Sequence, residues 1–105
     1  MSDTQWTDVA AMAEVPEGDV VGMMVAGRDL ALYNVSGEIF ATDNRCSHGH
    51  ARLCDGFVEG HEIECPMHQG RFDIRTGQPT CAPATDAIQS YPAKIEGGRI
   101  LLAIG

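Results

Sequence analysis

The chain has 105 residues, and its 15 acidic against 7 basic side chains give a formal net charge of −8 at pH 7. A chain of this length can bury one hydrophobic core, which predicts a single domain over residues 1–105. Net negative charge repels phosphate backbones and anionic membrane surfaces, so neither nucleic acid nor a membrane is an expected partner. A protein partner with a basic docking surface would be attracted instead.

The first twenty residues carry acids in place of a basic leader and contain no long apolar run, so they do not resemble a targeting segment. No window approaches the roughly 18 consecutive apolar residues of a membrane-spanning helix. These features predict a cytoplasmic protein. In that compartment the four cysteines favour metal ligation over a disulfide framework.

Short segments of alternating apolar residues follow one another along the chain. The first predicted strands are 20-VVGMMVA-26, 29-DLALYNV-35 and 38-EIFAT-42, separated by turns at Gly27-Arg28 and Ser36-Gly37. Two shorter strands, 62-EIEC-65 and 71-RFDI-74, follow, and a strand near the end alternates Ile100, Leu102 and Ile104. The pattern predicts an all-β fold of antiparallel hairpins that close into a small sandwich or barrel.

Two stretches lack clear alternation, residues 43–56 and 75–87, and both are predicted to be irregular. The first contains 46-CSHGH-50. A second motif, 65-CPMHQG-70, begins where Pro66 must end a strand, because proline cannot donate to a β-ladder. Two cysteine and histidine pairs are therefore expected on two loops of a rigid β scaffold.

Two facing loops that each supply one thiolate and one imidazole can hold a metal centre in two ways. One is a mononuclear zinc site, although zinc fingers usually place two cysteines together and then two histidines. The other is a 2Fe-2S cluster in which two cysteines bind one iron and two histidines bind the other. Mixed pairs favour the second, since each loop then contributes one ligand to each iron.

The motif Cys46-x-His48, sixteen intervening residues, then Cys65-x-x-His68 resembles the Rieske signature. The similarity is greatest to the small ferredoxins of bacterial aromatic ring-hydroxylating dioxygenase systems of the naphthalene dioxygenase kind, and it extends over residues 37–60, 62–77, 81–85 and 91–100. The resemblance implies a Rieske fold with a cluster-binding subdomain at approximately residues 43–85. It implies one [2Fe-2S] cluster, with Cys46, His48, Cys65 and His68 as its ligands.

The resemblance also implies a function. The chain is expected to be a one-electron carrier and not an enzyme, passing electrons from an NAD(P)H-dependent ferredoxin reductase to a terminal ring-hydroxylating oxygenase. A monomer that forms transient complexes suits that role. The alternative is a Rieske-type small subunit of an assimilatory nitrite reductase; some of those subunits lack the ligands, whereas all four are present here.

Four positions depart from the Rieske proteins of respiratory and photosynthetic complexes. Ala51 and Met67 stand where those proteins have cysteines that join the two loops by a disulfide. Gly70 and Phe72 stand where they have a serine and a tyrosine whose hydroxyls donate hydrogen bonds to cluster and cysteine sulfurs. Without those hydrogen bonds the reduced cluster is less stabilised, so we expect a potential near about −150 mV, the low end of the Rieske range.

Several other residues near the two motifs are not expected to bind the cluster themselves. Cys54 and Cys81 are predicted to be buried thiols and not a disulfide. His50 is expected to be a neighbour of the cluster, and His61 a solvated turn residue. Pro83 resembles the proline of a loop that covers the cluster in this family. The acidic residues near the loops are candidates for electrostatic steering of a partner: Asp55, Glu59, Glu62 and Glu64.

Overall fold

The computed structural model describes residues 5–46, 51–66, 70–81 and 86–104. Over these residues the chain forms antiparallel strands in three sheets, with two 3₁₀ helices at Met12–Glu14 and Leu53–Asp55. The all-β prediction is confirmed. No helix within the described ranges is long and apolar enough to cross a membrane. The strands are β1 Thr7–Ala11, β2 Val20–Val25, β3 Arg28–Val35, β4 Glu38–Asp43, β5 Phe57–Glu59, β6 Glu62–Glu64, β7 Arg71–Asp73, β8 Pro79–Cys81, β9 Ser90–Tyr91, β10 Ala93–Glu96 and β11 Arg99–Leu102.

The first two sheets are built from strands at the two ends and in the first half of the chain. Sheet one has the order β1-β11-β10, and sheet two has the order β2-β3-β4-β9. The hairpin β3-β4 turns at Ser36 and Gly37, as predicted, and both residues have positive φ. The hairpin β2-β3 turns at Ala26 and Gly27, also with positive φ, one residue earlier than predicted. Positive φ at both central residues is the requirement of a type I′ hairpin turn.

The third sheet has the order β5-β6-β7-β8 and lies within residues 57–81. Strand β6 ends at Glu64, which agrees with the break predicted at Pro66. Strand β8 falls inside a stretch that was predicted to be irregular, and that prediction is wrong. Its three residues carry no apolar alternation, and they become a strand by pairing with β7, where Phe72 faces Pro79 and Arg71 faces Cys81.

Strand β3 supplies both hydrophobic cores because successive side chains of a strand point to opposite faces. Leu30 and Leu32 belong to a core shared with Val15, which follows the first 3₁₀ helix, and with Ile100 and other residues of sheet one. Ala31 and Tyr33 belong to a second core, which also contains Cys46 and Cys65. The two cysteines of the predicted metal site therefore lie in the core between sheet two and the third sheet. The other members of this core are Ala51, Leu53, Ile63, Phe72, Ile74 and Ile88.

Candidate metal centre

The first predicted ligand loop is closed at its base by main-chain hydrogen bonds. The Cys46 N–H donates to the Ala51 carbonyl at 3.0 Å, and the Leu53 N–H donates to the Asn44 carbonyl at 2.6 Å. Between these bonds Arg45 and Arg52 form an isolated antiparallel bridge. Cys46 is thus fixed at the point where a short two-stranded ladder opens into the loop.

The second loop has the same closure. The Cys65 N–H donates to the Gly70 carbonyl at 2.7 Å, and the next residues outward, Glu64 and Arg71, are an antiparallel pair of β6 and β7. The cysteine again occupies the last position before the loop. Each cysteine is therefore held by regular backbone pairing even though the loop that follows it is irregular in sequence.

Both cysteine side chains face inward. Cys46 and Cys65 are each 1% exposed, and they share one hydrophobic core with Phe72, which is fully buried. Thiolates are the protein ligands of iron-sulfur clusters. Two thiols, one from each loop, in a core that excludes water fit the cysteine-ligated half of such a cluster.

The predicted histidine ligands, His48 and His68, lie outside the described residues, as do His50, Met67 and Pro83. Within the described ranges no three histidine, cysteine or carboxylate side chains form a metal-binding group. The assignment of all four ligands therefore stays a prediction. His61 is described: it lies in the turn between β5 and β6, as predicted, but it is half-buried and its ring meets Phe40 edge-on at 5.7 Å, so it is not fully solvated.

The two remaining cysteines, Cys54 and Cys81, are free thiols, as predicted. The prediction that both are buried is wrong for Cys81 and only partly right for Cys54. Cys54 is half-buried, and Cys81 is exposed on β8. Cys54 lies in the helix Leu53–Asp55, where its sulfur accepts a hydrogen bond from the side chain of Asn44 at 3.3 Å.

Arg71, directly after the second loop, binds three of the four acids that were proposed to steer a partner. Its guanidinium reaches Glu59 at 2.6 Å, Glu64 at 2.9 Å and Glu62 at 3.4 Å. The hydrogen bond to Glu59 and then those to Glu64 and Glu62 raise the pKa of Arg71. These acids therefore form a surface of partly compensated charge on β5 and β6, and no local pattern in the sequence predicts that one arginine binds all three.

Comparison with known proteins decides the family. The family model of the Rieske [2Fe-2S] domain matches residues 5–92 of the chain. The chain belongs to the Rieske [2Fe-2S] domain family. Its cofactor is a Rieske-type [2Fe-2S] cluster, in agreement with the two buried thiols. The family match therefore favours this cluster over the mononuclear zinc site considered from the sequence.

The most similar Rieske proteins include ferredoxins of dioxygenase systems. The chain is 60% identical to the naphthalene 1,2-dioxygenase system ferredoxin component of Pseudomonas aeruginosa, over 93% of this chain and 94% of that protein. Among solved structures it is similar to the ferredoxin of carbazole 1,9a-dioxygenase from Nocardioides aromaticivorans IC177, with a TM-score of 0.90, 34% identity and coverage of 94% and 97%. A complex of reduced oxygenase and oxidized ferredoxin in carbazole 1,9a-dioxygenase contains another similar chain, with a TM-score of 0.87, 31% identity and coverage of 96% and 94%.

A nitrite reductase small subunit also shares this Rieske fold. The putative NADH-dependent subunit from Mycobacterium tuberculosis matches with a TM-score of 0.87 over 99% of this chain and 98% of that one, but at 22% identity. At that identity the likeness is one of fold alone. The alternative function is therefore not favoured by any residue-level similarity, whereas the ferredoxin function is.

Proposed function

We propose that this Rieske ferredoxin carries single electrons from an NAD(P)H-dependent ferredoxin reductase to the terminal oxygenase of an aromatic-ring dioxygenase system. The observation that carries the proposal is the pair of buried thiols, each at the closed base of its own loop. The 60% identity to a naphthalene dioxygenase ferredoxin over nearly the whole chain supports the choice of system. The choice of aromatic substrate belongs to the oxygenase.

We assign the cluster ligands as Cys46 and Cys65 on one iron and His48 and His68 on the other. When bound, the cluster accepts and releases one electron at a time. The buried cysteines hold it from the side of the core, where Phe72 and Ile63 exclude water. With the cysteine side buried, the iron held by His48 and His68 would be the one that exchanges electrons with the partner proteins. The ligand assignment is tested by electron paramagnetic resonance of the reduced protein, in which the mixed ligand set gives a low average g value.

The cluster-binding subdomain is assigned to approximately residues 43–85. All four strands of the third sheet fall within that range. The subdomain shares its core with the rest of the chain through Tyr33 and Ile88. We therefore place it within one domain of residues 1–105, and a single cooperative unfolding transition is the expected result.

A low reduction potential follows from the residues beside the second cysteine. Phe72 is fully buried in the same core as Cys65 and carries no hydroxyl. Gly70 carries no side chain at all. With neither donor present, we expect a potential near about −150 mV, and a redox titration that placed it above about +100 mV would contradict the assignment.

Reconstitution tests the function directly. The purified chain, a pyridine-nucleotide-dependent ferredoxin reductase and a naphthalene-type terminal oxygenase are combined, and the diol product is measured with NADH as electron source. Product is expected only when the chain is present. Reduction of the chain without product formation, or its obligate co-purification with a large nitrite reductase subunit, would contradict the proposal.

We also propose that the protein is a cytoplasmic monomer that forms transient complexes. The free thiols of Cys54 and Cys81 suit a reducing compartment. A carrier that meets two enzymes in turn requires small interfaces that dissociate quickly. Cell fractionation and light scattering of the purified protein test the two statements.

A further inference from the structure

Asn44 is a polar side chain that the proposed cluster ligation does not use, yet it is fully buried. Its amide oxygen accepts a hydrogen bond from the Cys54 N–H at 2.8 Å. Its amide nitrogen donates to Asp29 Oδ1 at 3.0 Å and to Cys54 Sγ at 3.3 Å. Both ends of the amide are therefore satisfied, and they join strand β3 to the 3₁₀ helix Leu53–Asp55.

The main chain of Asn44 makes two further hydrogen bonds. Its N–H donates to the Asp29 carbonyl at 3.0 Å, and its carbonyl accepts from the Leu53 N–H at 2.6 Å. Asn44 precedes Cys46 by two residues, and Leu53 follows Ala51 by two. The residue thus connects both sides of the first loop's base to each other and to β3.

The environment of Asn44 supports one fixed orientation of its side chain. Asp29 Oδ1 accepts a second hydrogen bond, from Arg52 at 3.1 Å. The hydrogen bond from Asn44 is the largest contribution that lowers the pKa of the Asp29 carboxyl, so Asp29 is ionised and acts as an acceptor near neutral pH. On the other side stands Gly22 of β2, where a Cβ atom would lie 2.8 Å from both Asn44 Nδ2 and Cys54 Sγ. On the side of Gly22, therefore, there is no space for an added methyl group beside the amide.

We propose that Asn44 is a positioning residue for the iron-sulfur cluster: it holds the base of the first loop, and with it Cys46, in register against β3. The inference rests on the proposed ligation by Cys46. Replacing the amide would leave the Cys54 N–H without its acceptor and remove one of the two side-chain hydrogen bonds to Asp29 Oδ1, and an unpaired buried donor is costly. The ladder from Asn44 to Leu53 would then open more often, and Cys46 would release iron more readily.

Asn34 provides a matched control for the substitution. It is a second buried asparagine, 5% exposed, and its amide also uses both ends, donating to the Val15 carbonyl at 2.8 Å and accepting from the Gly37 N–H at 2.9 Å. It lies at the β3-β4 turn, and its partners do not include either ligand loop. N34A and N44A should therefore lower the melting temperature by a similar amount.

The test compares iron release and spectra in the two purified holoproteins. Iron transfer to a colorimetric chelator is expected to be about tenfold faster in N44A than in the unchanged protein, which corresponds to about 1.4 kcal/mol, and within about twofold of it in N34A. The electron paramagnetic resonance spectrum of the reduced protein is expected to shift in N44A alone. Equal iron-release rates in both variants, or an unchanged spectrum in N44A, would overturn the inference.

A second variant approaches the same amide from the other side. G22A keeps every hydrogen-bonding group but forces Asn44 or Cys54 to move, so it is expected to accelerate iron release and shift the spectrum in the same direction as N44A. It decides the question if N44A does not fold, and normal iron release with an unshifted spectrum in G22A would then overturn the inference. Failure of the proposed ligation is distinguishable, because it would show in the unchanged protein as absence of iron and acid-labile sulfide.

Discussion

Among the glycines near the metal centre, Gly77 is the one at which an added methyl group is expected to lower the stability of the fold most. It has φ of +82° and is buried, and its carbonyl accepts a hydrogen bond from the Ile88 N–H at 2.9 Å. A Cβ atom at this position would lie 1.9 Å from the Ile88 carbonyl oxygen. Ile88 belongs to the same core as Cys46 and Cys65, so G77A should displace a side chain that packs around the cluster ligands.

Gly18 provides a control that separates the expected loss of stability in G77A into two parts. It also has φ of +82°, but a Cβ atom there would meet nothing within 4 Å. G18A therefore carries only the conformational cost of a left-handed alanine, about 1–2 kcal/mol. G77A carries that cost and the cost of overpacking, about 1–3 kcal/mol more.

Thermal unfolding of the two purified holoproteins measures the difference. Since 1 kcal/mol corresponds to about 4–8 °C in a domain of this size, the melting temperature of G77A is expected at least about 5 °C below that of G18A. Iron release should also be faster in G77A, because Ile88 packs beside the ligand cysteines. Equal melting temperatures for the two variants would refute the reasoning, since it would mean that the close approach of Gly77 to Ile88 does not exist.

Three further predictions concern the surface, the potential and the thiols. R71Q should release three carboxylates beside the second loop and so make reduction by the ferredoxin reductase more sensitive to salt. The control is R75Q, which removes the same charge from a pair with Asp73. An equal salt dependence of the reduction rate in both variants would argue against steering by this surface. F72Y should raise the potential by roughly 20–65 mV, because one neutral hydrogen bond to sulfur is worth about 0.5–1.5 kcal/mol and about 59 mV corresponds to a tenfold change. A redox titration with no change would show that the hydroxyl does not reach a sulfur. In the holoprotein, an alkylating reagent should label Cys81 first and Cys54 more slowly, as read by mass spectrometry. The two buried cysteines should be labelled only after a chelator has removed the iron. Early labelling of Cys46 or Cys65 would contradict their role as ligands.

Much of the fold was predictable because local signals and tertiary structure agree. The turn at Ser36 and Gly37 and the break at Pro66 depend on backbone properties of single residues, and the structure confirms both. The alternation of Ile100 and Leu102 correctly marks a buried face. The same signals placed the turn after β2 one residue late, because Ala26 adopts positive φ there, which sequence alone does not favour for alanine.

The parts that were missed depend on partners distant in sequence. Strand β8 exists because β7 pairs with it. The hydrogen bonds of Asn44 join residues 15 and 10 positions away, Asp29 and Cys54, and an asparagine after a strand reads as an ordinary turn residue. Arg71 likewise forms ion pairs with Glu59 of β5 and with Glu62 and Glu64 of β6. A single sequence predicts the ligand residues from their spacing, but it does not show which buried polar residue supports the base of the loop.

The matched closure of the two loops explains how one scaffold serves two different motifs. From the cysteine to the residue that closes the loop there are five steps in each case, Cys46 to Ala51 and Cys65 to Gly70, although the histidine follows the cysteine by two residues in one motif and by three in the other. The difference is therefore absorbed inside a segment of constant length, and the sheets outside it keep their register. Each loop therefore lies between two fixed backbone pairs, and ligand identity and spacing can be varied within its six residues without changing those pairs. A one-residue slip in the flanking strands, by contrast, would turn their side chains to the opposite face of the sheet.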